Sequence, residues 1–408
     1  MKGRKRWGGA GILLAVIILA AGPTAYAAEN SKPDYINLAI IADLSGPYAP
    51  MMKQLYVGAI DASDYINSEL GGVKGVPVKM LTRDSGNKVD VAVSHYMELR
   101  EMKPKPYFIY MAVSAESEAL RERFTEDRLP CMSVSALTAI YPAAYTFGSI
   151  PLYVDHFGAF IDWLAETWKK PARPKLAFLT WDSTYGRAVL TDECRAYAKE
   201  KGVEIVAEEL FGLRDVDVTT QLTRIRAKGA DWVYTNTAAH GPIIIAKGLK
   251  EMGYEAKLAN GSGFDIATLR INPKLLAGHI SIMPFADIAD PDNKPAKKIY
   301  EYFNKNKRQP QDMSGNYLAA WCYALTAVEA IGRAVDQAGW DKLDGQAVKE
   351  QMVRMKKFGP LGGLVYYTFS EKKRTPSTVR VYRAESNGQF TPLTGWREAP
   401  DLRPAKYK

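Results

Sequence analysis

Short apolar runs alternate with longer amphipathic stretches along this chain. Ile36–Ala42 is a run rich in branched residues, long enough for one buried strand. The turn formers Asp43-Leu44-Ser45-Gly46-Pro47 end it. Val57, Ile60, Tyr65 and Ile66 then form a helical stripe that stops at Gly71-Gly72, and Val76–Leu81 reads as a second strand. Ligands in open α/β sheets sit beyond the carboxyl ends of the strands, so Ser45–Tyr48 is expected to edge a pocket.

The same grammar continues with a helix over 89–103, a strand Tyr107–Val113, a helix Ser114–Asp127 and a strand Leu129–Val134. Residues 137–151, with Pro142 and Pro151, read as a loop leading out of a first lobe. A second series follows. Phe157–Trp168 is helical, Pro174–Thr180 a strand, Arg187–Lys201 helical, Val203–Leu210 a strand and Val218–Ala227 helical. Asp231–Thr235 is a strand, Pro242 opens a helix, and Lys257–Ala259 and His279–Met283 are short strands. Helices Pro295–Lys305 and Asn316–Ala338 and strands Gly363–Phe369 and Val379–Arg383 complete the pattern. An uninterrupted apolar strand such as YFIYMAV belongs to a sheet covered on both faces. Strand–helix alternation implies parallel pairing through right-handed crossovers. At 408 residues the chain exceeds one hydrophobic core and suits two lobes.

The amino terminus alters the charge balance. KGRKR, the apolar core Gly11–Ala21 and then Ala25-Tyr26-Ala27 make a cleavable signal peptide over 1–28, with the mature chain starting near Ala28 or Glu29 in the periplasm. That segment holds Lys2, Arg4, Lys5 and Arg6 and no acids, so its removal takes the formal charge from +9 to +5. Without long basic runs, nucleic acid is not an expected partner. Cys131, Cys194 and Cys322 are odd in number and lack C-x-x-C spacing, and they read as buried thiols.

LSGPYA, INSELGGVKGVPVKM and, further on, PKLAFLTWDSTYG with VDVTTQLTRIRAKGADWVY resemble the periplasmic binding proteins of the branched-chain amino-acid (leucine-binding) type, the solute receptors of ABC importers. The resemblance covers about residues 36–270 well and the remainder loosely. It implies an α/β fold of the type I periplasmic binding protein, two Rossmann-like lobes with a three-strand hinge. Lobe 1 would comprise 29–150 and 284–359, lobe 2 151–283 and 360–395, and a C-terminal tail 396–408. Met51-Met52 stand where the family usually has a Gly, and Ser85 and Val113 where close relatives carry a disulfide.

No G-x-S-x-G, H-E-x-x-H, Walker or C-x-x-C motif is present, and His95, His156, His240 and His279 are scattered. Catalytic residues, a metal and a cofactor are therefore not expected. Binding residues are. Ser114 stands where an apolar strand meets a helix; it is either a plain N-cap or, as the resemblance implies, the holder of a ligand carboxylate. Tyr48 edges the first loop. Ser135, Leu137 and Thr138 occupy the family's second contact loop. From the second lobe, Tyr185 matches the aromatic of the D-x-x-x-Y-G loop, beside Trp181 and Asp182, and could equally be packing. Asn236, Thr237 and Ala238 fall where the amino-acid receptors place a ligand-touching Tyr, and Ser262 where they place a Glu that pairs with the ligand ammonium. Without that Glu a desolvated ammonium lacks its partner unless Asp155, Asp182 or Asp265 replaces it, so amides, urea-like solutes and aliphatic or aromatic acids become credible. The expected function is capture of a small polar or carboxylate-bearing solute by hinge closure. The chain would act as a monomer that delivers the solute to an ABC permease and its ATPase. The alternatives are a ligand-sensing receptor without transport and a hydrolase or transferase on the same scaffold.

Overall fold

A computed structural model describes Met1, Gly3, residues 32–286, Ile288 and 293–408; the signal peptide falls almost wholly outside the described residues. The first sheet is parallel throughout. Its strands are β1 (Ile36–Ala42), β2 (Val78–Asp84), β3 (Phe108–Met111), β4 (Cys131–Ser133) and β5 (Thr146–Gly148), in the order β2-β1-β3-β4-β5. Every residue of β1 is buried, which is why it is apolar but for Asn37, whose amide donates to the Pro104 carbonyl at 2.7 Å. Helices α1 (Ala49–Ser68), α2 (Val89–Glu101), α3 (Ser114–Glu126) and α4 (Leu137–Ile140) connect these strands. The stretch 137–151 is thus not all loop. It holds α4 and β5, both too short to leave a periodic pattern.

The second sheet begins after α5 (Tyr153–Thr167). It contains β6 (Lys175–Trp181), β7 (Glu204–Phe211), β8 (Trp232–Thr235), β9 (Lys257–Asn260) and β10 (Ile280–Met283), paired in parallel as β10-β9-β8-β6-β7. The intervening helices are α6 (Thr184–Arg187), α7 (Asp192–Glu200), α8 (Thr219–Ala227), α9 (His240–Glu251), α10 (Ile266–Ile271) and α11 (Pro273–Leu276). The helix expected over Arg187–Lys201 is shorter, α7 over Asp192–Glu200, and the expected loop before it holds α6. The Thr191 hydroxyl, accepting the Cys194 N–H at 3.2 Å, starts α7.

After β10 the chain returns to the first lobe as α12 (Lys294–Lys305), α13 (Gly315–Ala338) and α14 (Gly345–Val353). The Tyr323 hydroxyl on α13 accepts the Ala39 N–H at 3.1 Å and donates to the Ala39 carbonyl at 2.9 Å, fastening the helix over β1. Asp61 of α1 is fully buried and holds Arg308 at 2.6 Å and the Tyr317 hydroxyl at 2.6 Å, a network that must stay whole because either partner alone would be stranded. The chain then crosses again to β11 (Thr378–Ala384), antiparallel to β10, and to β12 (Phe390–Pro392) and β13 (Arg397–Glu398). Gly363–Phe369 does not form the expected strand; only an isolated bridge joins Phe358 to Tyr367. The three crossings lie after β5, after β10 and between α14 and β11. Cys131, Cys194 and Cys322 are free and buried.

Candidate functional site

The strands of both sheets end on a cavity of about 440 Å³ between the lobes. Its first-lobe wall starts at the loop after β1. Asp43 accepts the Gly46 N–H at 2.5 Å and the Tyr48 N–H at 2.8 Å, which folds the loop back and seats Tyr48 at the cavity. A side chain at Gly46 would run into Asp43 and the Gly86 carbonyl, at 2.6 and 2.7 Å from a Cβ, so the turn needs glycine. Met51 and Met52 follow on α1 and give this wall an apolar patch.

Ser114 opens α3 and lines the cavity beside Val113. It is not the N-cap; Val113 holds that position with no side-chain cap, so the Ser114 hydroxyl is free of helix capping and lies against the Tyr153 hydroxyl. The second-lobe wall comes from the loop after β6. Ser183 caps α6 through the Gly186 N–H at 3.1 Å, and Gly186 has no room for a Cβ, which would stand 2.0 Å from the Trp181 carbonyl. This turn carries Tyr185 to the cavity, its hydroxyl donating to the Thr237 carbonyl at 3.3 Å and its ring meeting Tyr153 edge-on at 4.9 Å. Ser262 and Gly263 complete that wall.

Of the sequence-derived candidates, Tyr48, Ser114, Tyr185, Ala238 and Ser262 come together on this lining. The other six stand behind or beside it. Ser135 is buried and donates to the Ile150 carbonyl at 2.5 Å, a tie within the hinge approach. Leu137 is half-buried and Thr138 exposed, both on α4 away from the cavity. Trp181 forms the layer behind Tyr48 and Tyr185. Asn236 donates to the Tyr185 carbonyl at 2.6 Å, and the Thr237 carbonyl receives both the Tyr185 hydroxyl and the Asn260 amide, so these two hold Tyr185 in place. Phe264, next to Gly263 on this loop, is buried against Phe390 and does not line the cavity.

Tyr110, Tyr153 and Phe285 also line the cavity and escaped sequence reasoning, and Asp265, weighed from the sequence only as a substitute carboxylate, lines it too. Asp265 had a legible signal, D-x-x-T ahead of a helix: its Oδ1 accepts the Thr268 N–H at 3.0 Å as the N-cap of α10. Tyr153 was hidden because α5 starts four residues before the expected Phe157.

Among the described residues no Lys, Arg or His lines the cavity. Its two carboxylates are engaged: Asp182 meets Arg187 Nε at 2.7 Å, and Asp265 accepts backbone N–H groups. Burial pushes Asp265 upward in pKa. Asp155 is elsewhere, under the C-terminal tail, where burial pushes it up to about 7. Beneath Ser114, Glu116 is buried and pushed up to about 7 by burial, aided by Asp43 and Asp84. His156 lies outside the lining and burial drives it down to about 3, so it stays neutral. The wall therefore offers hydroxyls, a helix start and apolar and aromatic surface, with no fixed positive side chain among the described residues.

Comparison with known proteins places this architecture. A Pseudomonas aeruginosa protein described as a leucine-, isoleucine-, valine-, threonine- and alanine-binding protein is 22% identical over 383 residues, covering 91% of this chain and 96% of its own length. A branched-chain amino-acid ABC transporter structure from Thermus thermophilus with bound valine superposes with a TM-score of 0.81 at 21% identity, covering 90% of this chain and 97% of the other. A fatty-acid ABC transporter substrate-binding protein from Thermomonospora curvata gives a TM-score of 0.78 at 19% identity, covering 90% and 93%. Residues 35–389 match the family model described as periplasmic binding protein, and the chain belongs to that family.

Proposed function

We propose that this protein captures a small polar or carboxylate-bearing solute outside the cytoplasm, by hinge closure, and delivers it to an ABC permease and its ATPase without transforming it. The observation that carries this reading is the cavity itself: about 440 Å³, at the carboxyl ends of both sheets, with walls drawn from both lobes. A solute touching both walls binds the closed form better than the open one, and that difference is what shifts the hinge. Tyr48 and Ser114 would receive it on the first lobe, Tyr185 and Ser262 on the second. The relatives named above, one described as binding five amino acids and one as serving fatty acids, support transport and leave the solute class wide.

The lining favours a solute with one hydrogen-bonding end and an apolar body. At a ceiling of about 30 Å³ per heavy atom, a nine-atom amino acid fills no more than about 270 Å³, so larger solutes are admitted. Thermal-shift screening of the mature chain against amino acids, amides and aliphatic and aromatic carboxylates tests the reading. A saturating ligand at a hundred times its Kd adds about 2.7 kcal/mol and raises the melting temperature. A panel that leaves the melt unmoved, or a hit that is chemically converted on incubation, would sink it.

A further inference from the structure

Asp265 belongs to the second lobe, between β9 and β10, yet its carboxylate spans the cleft. Oδ1 caps α10 through the Thr268 N–H at 3.0 Å, while Oδ2 accepts the Gly315 N–H at 2.8 Å. Gly315 is the first residue of α13, the 24-residue helix fastened over the first sheet. A helix start leaves its first N–H groups unpaired and carries the positive end of the helix dipole. Ser314 satisfies one of them, the Tyr317 N–H at 3.2 Å, and Asp265 supplies the carboxylate for another.

We propose that Asp265 is a closure latch: its bond to the α13 start forms only when the lobes come together, needs no solute, and keeps a measurable fraction of the protein closed with an empty cleft. The latch rests on the hinge-closure reading above, and it gives the ligand a positioning partner rather than a contact.

Two substitutions remove the bond: Gly315→Pro takes away the N–H but puts its Cδ where that hydrogen points, against Asp265 Oδ2, while Asp265→Asn takes away the acceptor without added bulk. Proline is tolerated at the first position of a helix, and Ser314 before it is already extended at φ −143° and ψ 171°. A Cβ at 315 would meet Asp265 Oδ2 at 3.5 Å and Phe285 at 3.7 Å, ordinary contacts, so Gly315→Ala serves as the reference that keeps the N–H. The measurement is the distance distribution between spin labels on Glu122→Cys (α3) and Lys250→Cys (α9) in the mature, ligand-free chain; the native cysteines are buried and spared. The expected result is two populations in the parent, with the closed-to-open ratio about tenfold or more lower in Gly315→Pro than in Gly315→Ala, the scale of one charge-assisted hydrogen bond. Asp265→Asn keeps the Thr268 cap through Oδ1, turns an NH2 donor toward the Gly315 N–H, and should lower the ratio from the parent's by a similar factor, which separates loss of the bond from the bulk of the proline ring. An Asp265→Asn ratio equal to the parent's, equal ratios in the Pro and Ala variants, or a parent with no closed population overturns the latch while leaving the hinge intact. A single rigid distance in every variant overturns the hinge-closure reading beneath it.

Discussion

The rings of Tyr48 and Trp181 meet across the cleft with centroids 5.8 Å apart and planes tilted by 58°. One rides on the loop after β1 and the other ends β6, so only closed lobes bring them together. Trp181 also sits 5.3 Å from the His240 ring and 6.1 Å from Tyr185, both in its own lobe, so the Tyr48 contact is the one that closure would change. Solute binding is therefore expected to change the intrinsic tryptophan fluorescence, and Trp181→Phe to remove at least about half of that change while leaving the protein folded by circular dichroism. A full-sized signal in the Phe variant would show that closure does not alter this contact.

Ser114→Ala and Tyr185→Ala are each expected to weaken binding of whatever solute emerges from the screen by about tenfold, read by calorimetry, with little change in melting temperature. Asn236→Ala should weaken it too, although Asn236 never reaches the cavity, because its amide holds the Tyr185 carbonyl at 2.6 Å. Thr138→Ala, on an exposed face of α4, should do nothing. Unchanged affinity in both Ser114→Ala and Tyr185→Ala would move the solute elsewhere.

These contrasts mirror what the sequence could and could not convey. A seven-residue run, apolar but for Asn37 and closed by D-L-S-G-P, leaves little choice, and β1 spans Ile36–Ala42 as expected. Thr146–Gly148 is a three-residue edge strand paired on one side only, and nothing in its composition separates it from the loop around it. Gly363–Phe369 misleads in the other direction. Its aromatic and branched residues serve the hinge, with the Tyr367 hydroxyl donating to the Ser149 carbonyl at 2.9 Å. At the site, strand ends identify the loops but not the direction of each side chain. Trp181, Asn236 and Thr237 therefore fall on the right loops and support the cavity from behind, while Tyr185 faces it.

Glu116 gives the fold a pH signature. Burial raises it from 4.5 to about 7, with Asp43 and Asp84 adding and Ser85 opposing. Between those values the folded protein keeps a proton that the unfolded chain has released. Stability therefore falls as pH rises through this window and levels off above it, by on the order of 3 kcal/mol. Asp155, raised by burial to about 7, acts with the same sign. His156, lowered by burial to about 3, acts in the opposite sense, costing stability as pH falls below about 6.5. The test is urea unfolding of Glu116→Gln beside the parent at about pH 5 and about pH 8. The variant's stability relative to the parent should be higher at the upper pH by roughly 2–3 kcal/mol. An offset that does not change with pH would mean that Glu116 ionises in the folded protein as it does in water.

The C-terminal tail ties the lobes together on a face separate from the cavity lining. Leu402 donates its N–H to Asp155 of α5 at 2.9 Å, and the tail lies so close to α5 that a Cβ at Gly158 would stand 2.4 Å from Pro400. One residue on, Arg403 donates to the Lys372 carbonyl at 2.6 Å, the Tyr407 carbonyl at 2.9 Å and the first-lobe Tyr141 hydroxyl at 3.2 Å, while Tyr407 stacks on the Tyr141 ring. Removing residues 400–408 would strip the N–H from a buried carboxyl, at a cost of about 1–3 kcal/mol, and uncover the site that Leu402 fills, worth about 1.5–3 kcal/mol. Truncation after Ala399, which also removes the Arg403 hydrogen bonds, should thus lower the unfolding free energy by on the order of 6 kcal/mol. Arg403→Ala should lower it by less, about 1.5–3 kcal/mol, since its hydrogen bonds go but the Leu402 contact stays. Equilibrium unfolding in urea reads both. If truncation leaves the midpoint where it was, the tail merely rests on the surface and the two lobes are held by the hinge crossings alone.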